Sequence, residues 1–77
     1  MGWGEINVIL KSNGKNIPIE VKEKAHARDI EKLRRNMKYI NAGRGIIITL
    51  NQEMDYGDVE VYSAYELEDM NLKWLLT

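Results

Sequence analysis

Glu20 and Lys22 are the pair of residues whose types and spacing first suggest chemistry, because two positions apart in an alternating run they must share one face of a strand. The run is Asn16-Ile17-Pro18-Ile19-Glu20-Val21-Lys22, and an earlier one, Glu5-Ile6-Asn7-Val8-Ile9-Leu10-Lys11, carries Glu5 and Asn7 on one side. Between them lies Ser12-Asn13-Gly14-Lys15. Asn-Gly between alternating segments is the strongest short hairpin signal, since both residues tolerate positive φ. With Asn13 and Gly14 at the turn, Ser12 pairs with Lys15, Asn7 falls opposite Glu20, and Glu5 falls opposite Lys22. Both of the last two are non-hydrogen-bonded pairs, in which facing side chains come closest. Carboxylates, an amide and an ammonium therefore gather on one face. Such oxygen ligands suit a hard divalent cation. The same groups can also satisfy one another, as a Glu5–Lys22 salt bridge beside an Asn7–Glu20 hydrogen bond, each contributing only about 0.2–1 kcal/mol.

The elements that must hold this cluster follow from the rest of the pattern. Strands are expected over residues 5–11 and 16–22, one face of the hairpin being aliphatic (Ile6, Val8, Leu10, Ile17, Ile19, Val21). Ile30, Leu33, Met37 and Ile40 recur at helical spacing and predict an amphipathic helix over 25–41, with Gly43 as its C-terminal cap. Residues 45–50 are apolar on both sides, as in a strand inside a sheet, and the order strand, helix, strand implies that this strand runs parallel to 16–22. A polar loop over 51–57, with a turn at Tyr56-Gly57, leads to a short strand over 58–62. Ser63-Ala64-Tyr65-Glu66 is a capping box that opens a second, short helix. The fold class is α/β: a mixed sheet built from a hairpin, a crossover helix, a parallel strand and a further short strand, in a single domain spanning residues 1–77.

Pro18-Ile19-Glu20-Val21-Lys22, ending a hairpin whose first strand begins Glu5-Ile6-Asn7 and followed by a helix and a buried strand, resembles the PD-(D/E)XK nuclease superfamily. It is most like the nuclease-like domains at the C-termini of archaeal and bacterial P-loop ATPases. There the hairpin reads roughly Glu-Val-Asp-Phe-Val-Leu, turn, Pro-Ile-Glu-Val-Lys. The resemblance covers about residues 4–66 and implies a truncated restriction-endonuclease-like core, since the helix and strand that precede the hairpin in the family are not in this sequence. It implies a site in which Glu20 is the Glu ligand of Mg²⁺ or Mn²⁺, Lys22 the catalytic lysine, and Asn7 stands where the family has Asp. In such a site the metal lowers the pKa of a bound water and offsets charge on the phosphate. Asn7 brings a neutral oxygen only, and Glu5, on the same face, is the residue that can substitute for it. The departure leaves open an active metal-dependent endonuclease and an inactive derivative, and the missing helix and strand imply a truncated chain, cover supplied by a partner, or lost catalysis.

Charge and composition bear on partners. The net charge of −1 conceals ten Lys or Arg against five Asp or Glu in residues 1–50, and one against seven in 51–77. The basic half suits nucleic acid, and Arg28, Lys32, Arg35 and Lys38, away from the apolar stripe of the expected helix, are the candidate DNA contacts. The alternative is that the two halves simply attract each other. His26, at the helix entry, reads as an exposed side chain, and Trp3 and Trp74 as residues buried against the sheet or an interface. There is no cysteine, no apolar run long enough for a membrane span, and no basic-then-apolar N-terminus. A cytoplasmic protein is therefore expected. Two functions are compatible with the pattern: a DNA-binding, nuclease-like accessory module of a larger ATPase-type protein, and a non-catalytic protein-interaction or oligomerisation module. A strand apolar on both faces, with one helix to cover it, predicts a homodimer joined through the second sheet face, the tail over 72–76, or the edge strand 5–11.

Overall fold

The computed structural model describes residues 6–67. It has a five-stranded mixed sheet in the order β1-β2-β3-β5-β4. β1 (Ile6–Ser12) and β2 (Lys15–Val21) form the expected hairpin. Asn13 and Gly14 adopt φ of 53° and 74°, the left-handed pair that a two-residue turn requires. The register is the one the turn dictates, with Ser12 opposite Lys15 and Asn7 opposite Glu20. Pro18 has no N–H to offer, and it sits just ahead of the point where β2 begins to pair with β3, at Ile19 opposite Ile46.

Helix α1 (Ala27–Tyr39) is shorter at both ends than the sequence pattern suggests. His26 is the extended N-cap, and the Asp29 carboxylate accepts its backbone N–H at 2.8 Å, which fixes the start. The C-terminal cap is not Gly43. Asn41 takes the left-handed conformation (φ 54°), and the Ala42 N–H donates to the Met37 carbonyl at 2.8 Å in a Schellman closure. An asparagine two residues before the glycine already tolerates the required φ, so the chain turns there first. Ile30, Leu33 and Met37 are buried as the stripe predicts.

β3 (Gly45–Thr49) is central and pairs parallel to both β2 and β5 (Val59–Ser63). Its apolar residues divide between two layers. Ile47 packs with Val59 and Val61 under α1, and Ile46 packs with Ile17 and Tyr62 on the far side. Gly45 is required where the helix lies closest. A Cβ there would stand 2.8 Å from Met37 Sδ and 2.9 Å from Leu33 Cδ2. On the far face Ile17, Ile46 and Tyr62 are buried, Leu10, Ile19 and Ile48 are half-buried, and Val8 is exposed.

The expected loop over 51–57 contains an element of its own. Met54–Asp55 forms β4, antiparallel to β5, because half-buried Met54 packs against the layer under α1. The turn at Tyr56-Gly57 is present, with Gly57 at φ 86° and its N–H donating to the Asp55 side chain at 2.8 Å. Ser63 Oγ accepts the Tyr65 N–H at 3.2 Å and opens α2 (Ala64–Leu67). Trp3, Glu5, Trp74 and the tail over 72–76 lie outside the described residues. No helix among the described residues is long and apolar enough to cross a membrane.

Candidate functional site

Two strands and a helix meet at the candidate site. The hairpin register puts Asn7 directly across from Glu20, and β3 continues the row with Ile47 opposite Glu20. Glu20 is buried, 5% exposed, on the side of the sheet that carries α1. It lines a pocket of about 410 Å³ between the hairpin and the C-terminal half of α1, whose walls include Ile9, Pro18, Leu33, Tyr39 and Ile40. Among the described lining residues Glu20 is the one charged group. Tyr39 also belongs to the adjoining surface formed with Arg35 and Lys38, so the rim of the pocket is continuous with the basic face of the helix.

Lys22 lies just past the end of β2, where its N–H still donates to the Ile48 carbonyl at 2.9 Å. Its ammonium donates to Asp29 Oδ1 at 2.5 Å, and the two side chains are 17% and 8% exposed. Burial pushes the Asp29 carboxyl up. The Lys22 ammonium, the His26 N–H and the His26 charge more than offset this and hold it below the ordinary carboxylate value. Asp29 is the residue that sequence reasoning missed. Its signal was the spacing His26-x-x-Asp29 at a helix start, a capping pattern that also places a carboxylate within reach of the strand end.

The donor set can be judged against a divalent ion. Mg²⁺ and Mn²⁺ favour several oxygen ligands, at least some of them charged. At this position the described residues bring the Glu20 carboxylate, with Asn7 opposite it in register, while Asp29 is engaged by Lys22. No group of three or more His, Cys, Asp or Glu side chains comes together among the described residues. The donors described at this position are therefore fewer than the several charged oxygens such an ion favours.

Arg28, Lys32, Arg35 and Lys38 are all exposed along the outer face of α1. His26 is exposed at the helix entry, as its position suggested. The remaining arginines of the basic half have a different role. Arg34 grips Asp58 with Nε and a terminal nitrogen at 3.0–3.2 Å, donates to Glu31 at 2.8 Å, and stands 6.0 Å from the Tyr56 ring centre. Arg44 donates to Glu60 at 2.5 Å, and Glu60 accepts the Tyr62 hydroxyl at 2.6 Å. Burial and the Glu60 carboxylate push that hydroxyl up to about 12 against the pull of Arg44. Part of the charge asymmetry is therefore used within the fold, joining the basic half of the chain to the acidic one. Comparison with known protein families, curated proteins and solved structures finds no match.

Proposed function

We propose that this chain is a PD-(D/E)XK nuclease-like module that binds DNA, an accessory domain of a larger ATPase-type protein with a weak Mg²⁺ or Mn²⁺ site. The observation that carries the reading is the continuity between buried Glu20 and the Arg35–Lys38 surface through Tyr39. Phosphates bound to those cations would pass close to the one carboxylate of the pocket. Glu20 would hold the ion, with Asn7 opposite it. A bound ion would lower the pKa of its water and offset charge on the phosphate. Lys22, already paired with Asp29, would contribute a fixed positive charge beside the site. With Asn7 in place of a second carboxylate, phosphodiester cleavage is slow or absent.

The test is calorimetric titration of Mn²⁺ into wild type and Asn7→Asp, with and without duplex DNA. A second carboxylate opposite Glu20 should tighten Mn²⁺ binding, and DNA should tighten it further. Equal Mn²⁺ affinity in both proteins removes the metal site from the proposal. A second reading, a protein-interaction module, is favoured by one observation: Val8 and Ile9, both apolar, are 49% and 52% exposed on an outer strand. Association that is insensitive to salt, with no DNA binding at low ionic strength, would select it.

A further inference from the structure

The pocket between the hairpin and α1 carries a carboxylate inside and cations at its rim. Ile9, Pro18, Leu33 and Ile40 are among its walls, and Glu20, its one charged residue among those described, is 5% exposed. Its volume of about 410 Å³ is in the range of a small-ligand site. Tyr39, 89% exposed, joins it to the surface of Arg35 and Lys38. This order of charge suits a ligand with the reverse order, a hydrogen-bond donor on an apolar body inside and an anion outside. A simple amine is repelled by the rim, and a simple carboxylic acid is repelled by Glu20. A nucleotide has both halves. We propose that the pocket takes one unpaired base of a DNA strand, a base with an exocyclic amine that donates to Glu20, while the neighbouring phosphates lie on Arg35 and Lys38.

Each part of the lining has a use in such a contact. A glutamate accepts from the amine of cytosine, whereas thymine presents a carbonyl there and would set acceptor against acceptor. The Asn36 amide, also in the lining, both donates and accepts, so it suits the ring edge beside that amine. Tyr39 offers an exposed ring on which any base can stack. Apolar walls with a few polar groups aimed at the base edge are how an unstacked base is held. The cations favour a strand over a free nucleotide. Arg28, Lys32, Arg35 and Lys38 are exposed along α1. From the first to the last the helix rises about 15 Å at ~1.5 Å per residue, a row longer than one phosphate can use. Base capture rests on the DNA-binding part of the proposed function and not on its metal ion. An ion and an amine would compete for Glu20, so the two are separated by removing divalent metal.

Fluorescence anisotropy in excess chelator, with labelled single strands of equal length, tests the pocket. Each strand carries one base, cytosine or thymine, flanked by abasic nucleotides, so the backbone charge is constant. The cytosine strand should bind about tenfold more tightly. Glu20→Gln should abolish that preference, because an amide donates to the thymine carbonyl as readily as it accepts the cytosine amine. Tyr39→Ala changes an exposed residue, so it tests the pocket without disturbing the core. It should weaken the cytosine strand at least about fivefold and leave a wholly abasic strand unaffected. Equal affinity of wild type for the two strands overturns base capture. So does a cytosine preference that survives Glu20→Gln, or a cytosine affinity unchanged in Tyr39→Ala. Cytidine monophosphate binding as tightly as the strand overturns the choice of a strand. If the two strands bind equally while duplex is still bound, base capture alone falls. If neither strand nor duplex binds at low salt, the DNA-binding reading falls with it.

Discussion

Lys22 and Asp29 are joined at 2.5 Å across the junction between β2 and α1, and the same carboxylate accepts the His26 N–H through its other oxygen at 2.8 Å. One acidic side chain thus ties the end of a strand, the linking segment and the first turn of the helix. Both partners are largely shielded, so losing one charge of the pair costs more than replacing both by apolar groups. Asp29→Asn should lower stability by about 3 kcal/mol. Lys22→Met combined with Asp29→Leu should recover much of that loss. Urea unfolding midpoints at constant m-value measure both. If the single substitution changes the midpoint no more than an exposed control such as Glu31→Gln, the pair is not structural.

The same pair sets an acid limit. A carboxyl whose folded pKa lies below its unfolded value binds protons more weakly in the folded state. Its contribution is fully present above the unfolded value and is lost as pH falls through the folded one. Asp29 and Asp58 are both held below the ordinary 3.8, Asp29 by Lys22 and His26 against the effect of burial, Asp58 chiefly by Arg34. Stability should therefore decline as the pH drops below about 4. The decline should be shallower in Asp29→Asn, which has one fewer such carboxylate. Thermal unfolding followed across acid pH decides it, and an identical slope in the two proteins would remove Asp29 from the account.

Much of this fold is legible in local chemistry. Asn13-Gly14 admits one turn type, and that turn sets the hairpin register down to Asn7 opposite Glu20. The Ile30, Leu33, Met37 stripe and the two-sided apolar run at Ile46-Ile47 specify the helix and the central strand equally directly. One miss comes from a contact between distant segments and another from a choice between two neighbouring caps. β4 exists because Met54 finds the layer under α1, not because Met-Asp favours a strand. The helix ends at Asn41 rather than Gly43 because two residues in succession can serve, and only the closure onto Met37 separates them. For the candidate site, the strand pattern shows Glu20, Lys22 and Asn7 sharing a face. It does not show Asp29 reaching back to Lys22, a contact that depends on where α1 docks.

An alkaline limit comes from the far side of the sheet. Tyr62 is buried and its hydroxyl donates to Glu60, so its ionisation is pushed from the ordinary 10 up to about 12. An acid with a raised folded pKa is protonated in the folded state while the unfolded chain has already lost its proton. Its contribution is thus complete below pH 10 and disappears as pH rises through the folded value of about 12. Tyr62→Phe should be less stable near neutral pH by about 2 kcal/mol for the lost hydrogen bond to a charged carboxylate. It should lose less stability between neutral and strongly alkaline conditions. The difference in tyrosinate absorbance between wild type and Tyr62→Phe should show a group ionising near 12. A difference titration centred at the ordinary value would mean that the Glu60 contact is not maintained in solution.

The exposed cations of α1 separate DNA binding from folding. Arg28, Lys32, Arg35 and Lys38 are solvent-exposed on the helix, whereas Arg34 and Arg44 are engaged by Asp58 and Glu60. Removing exposed charges should alter stability by no more than about 0.5 kcal/mol. If Arg35 and Lys38 each neutralise one phosphate, Arg35→Ala with Lys38→Ala should weaken duplex binding. It should also reduce the slope of log K against log salt by about 2, at roughly 0.9 per phosphate contact. Arg34→Ala should behave in the opposite way, lowering the unfolding midpoint through loss of the Asp58 contact while leaving the salt slope close to wild type. Fluorescence anisotropy with labelled duplex across a salt series, alongside denaturant unfolding of the same variants, measures both quantities. A double substitution that leaves both the affinity and the slope unchanged would take the helix face out of the DNA interface. Absence of binding even at low salt would favour the protein-interaction reading, because a surface that releases no counterions has no electrostatic means of holding a duplex.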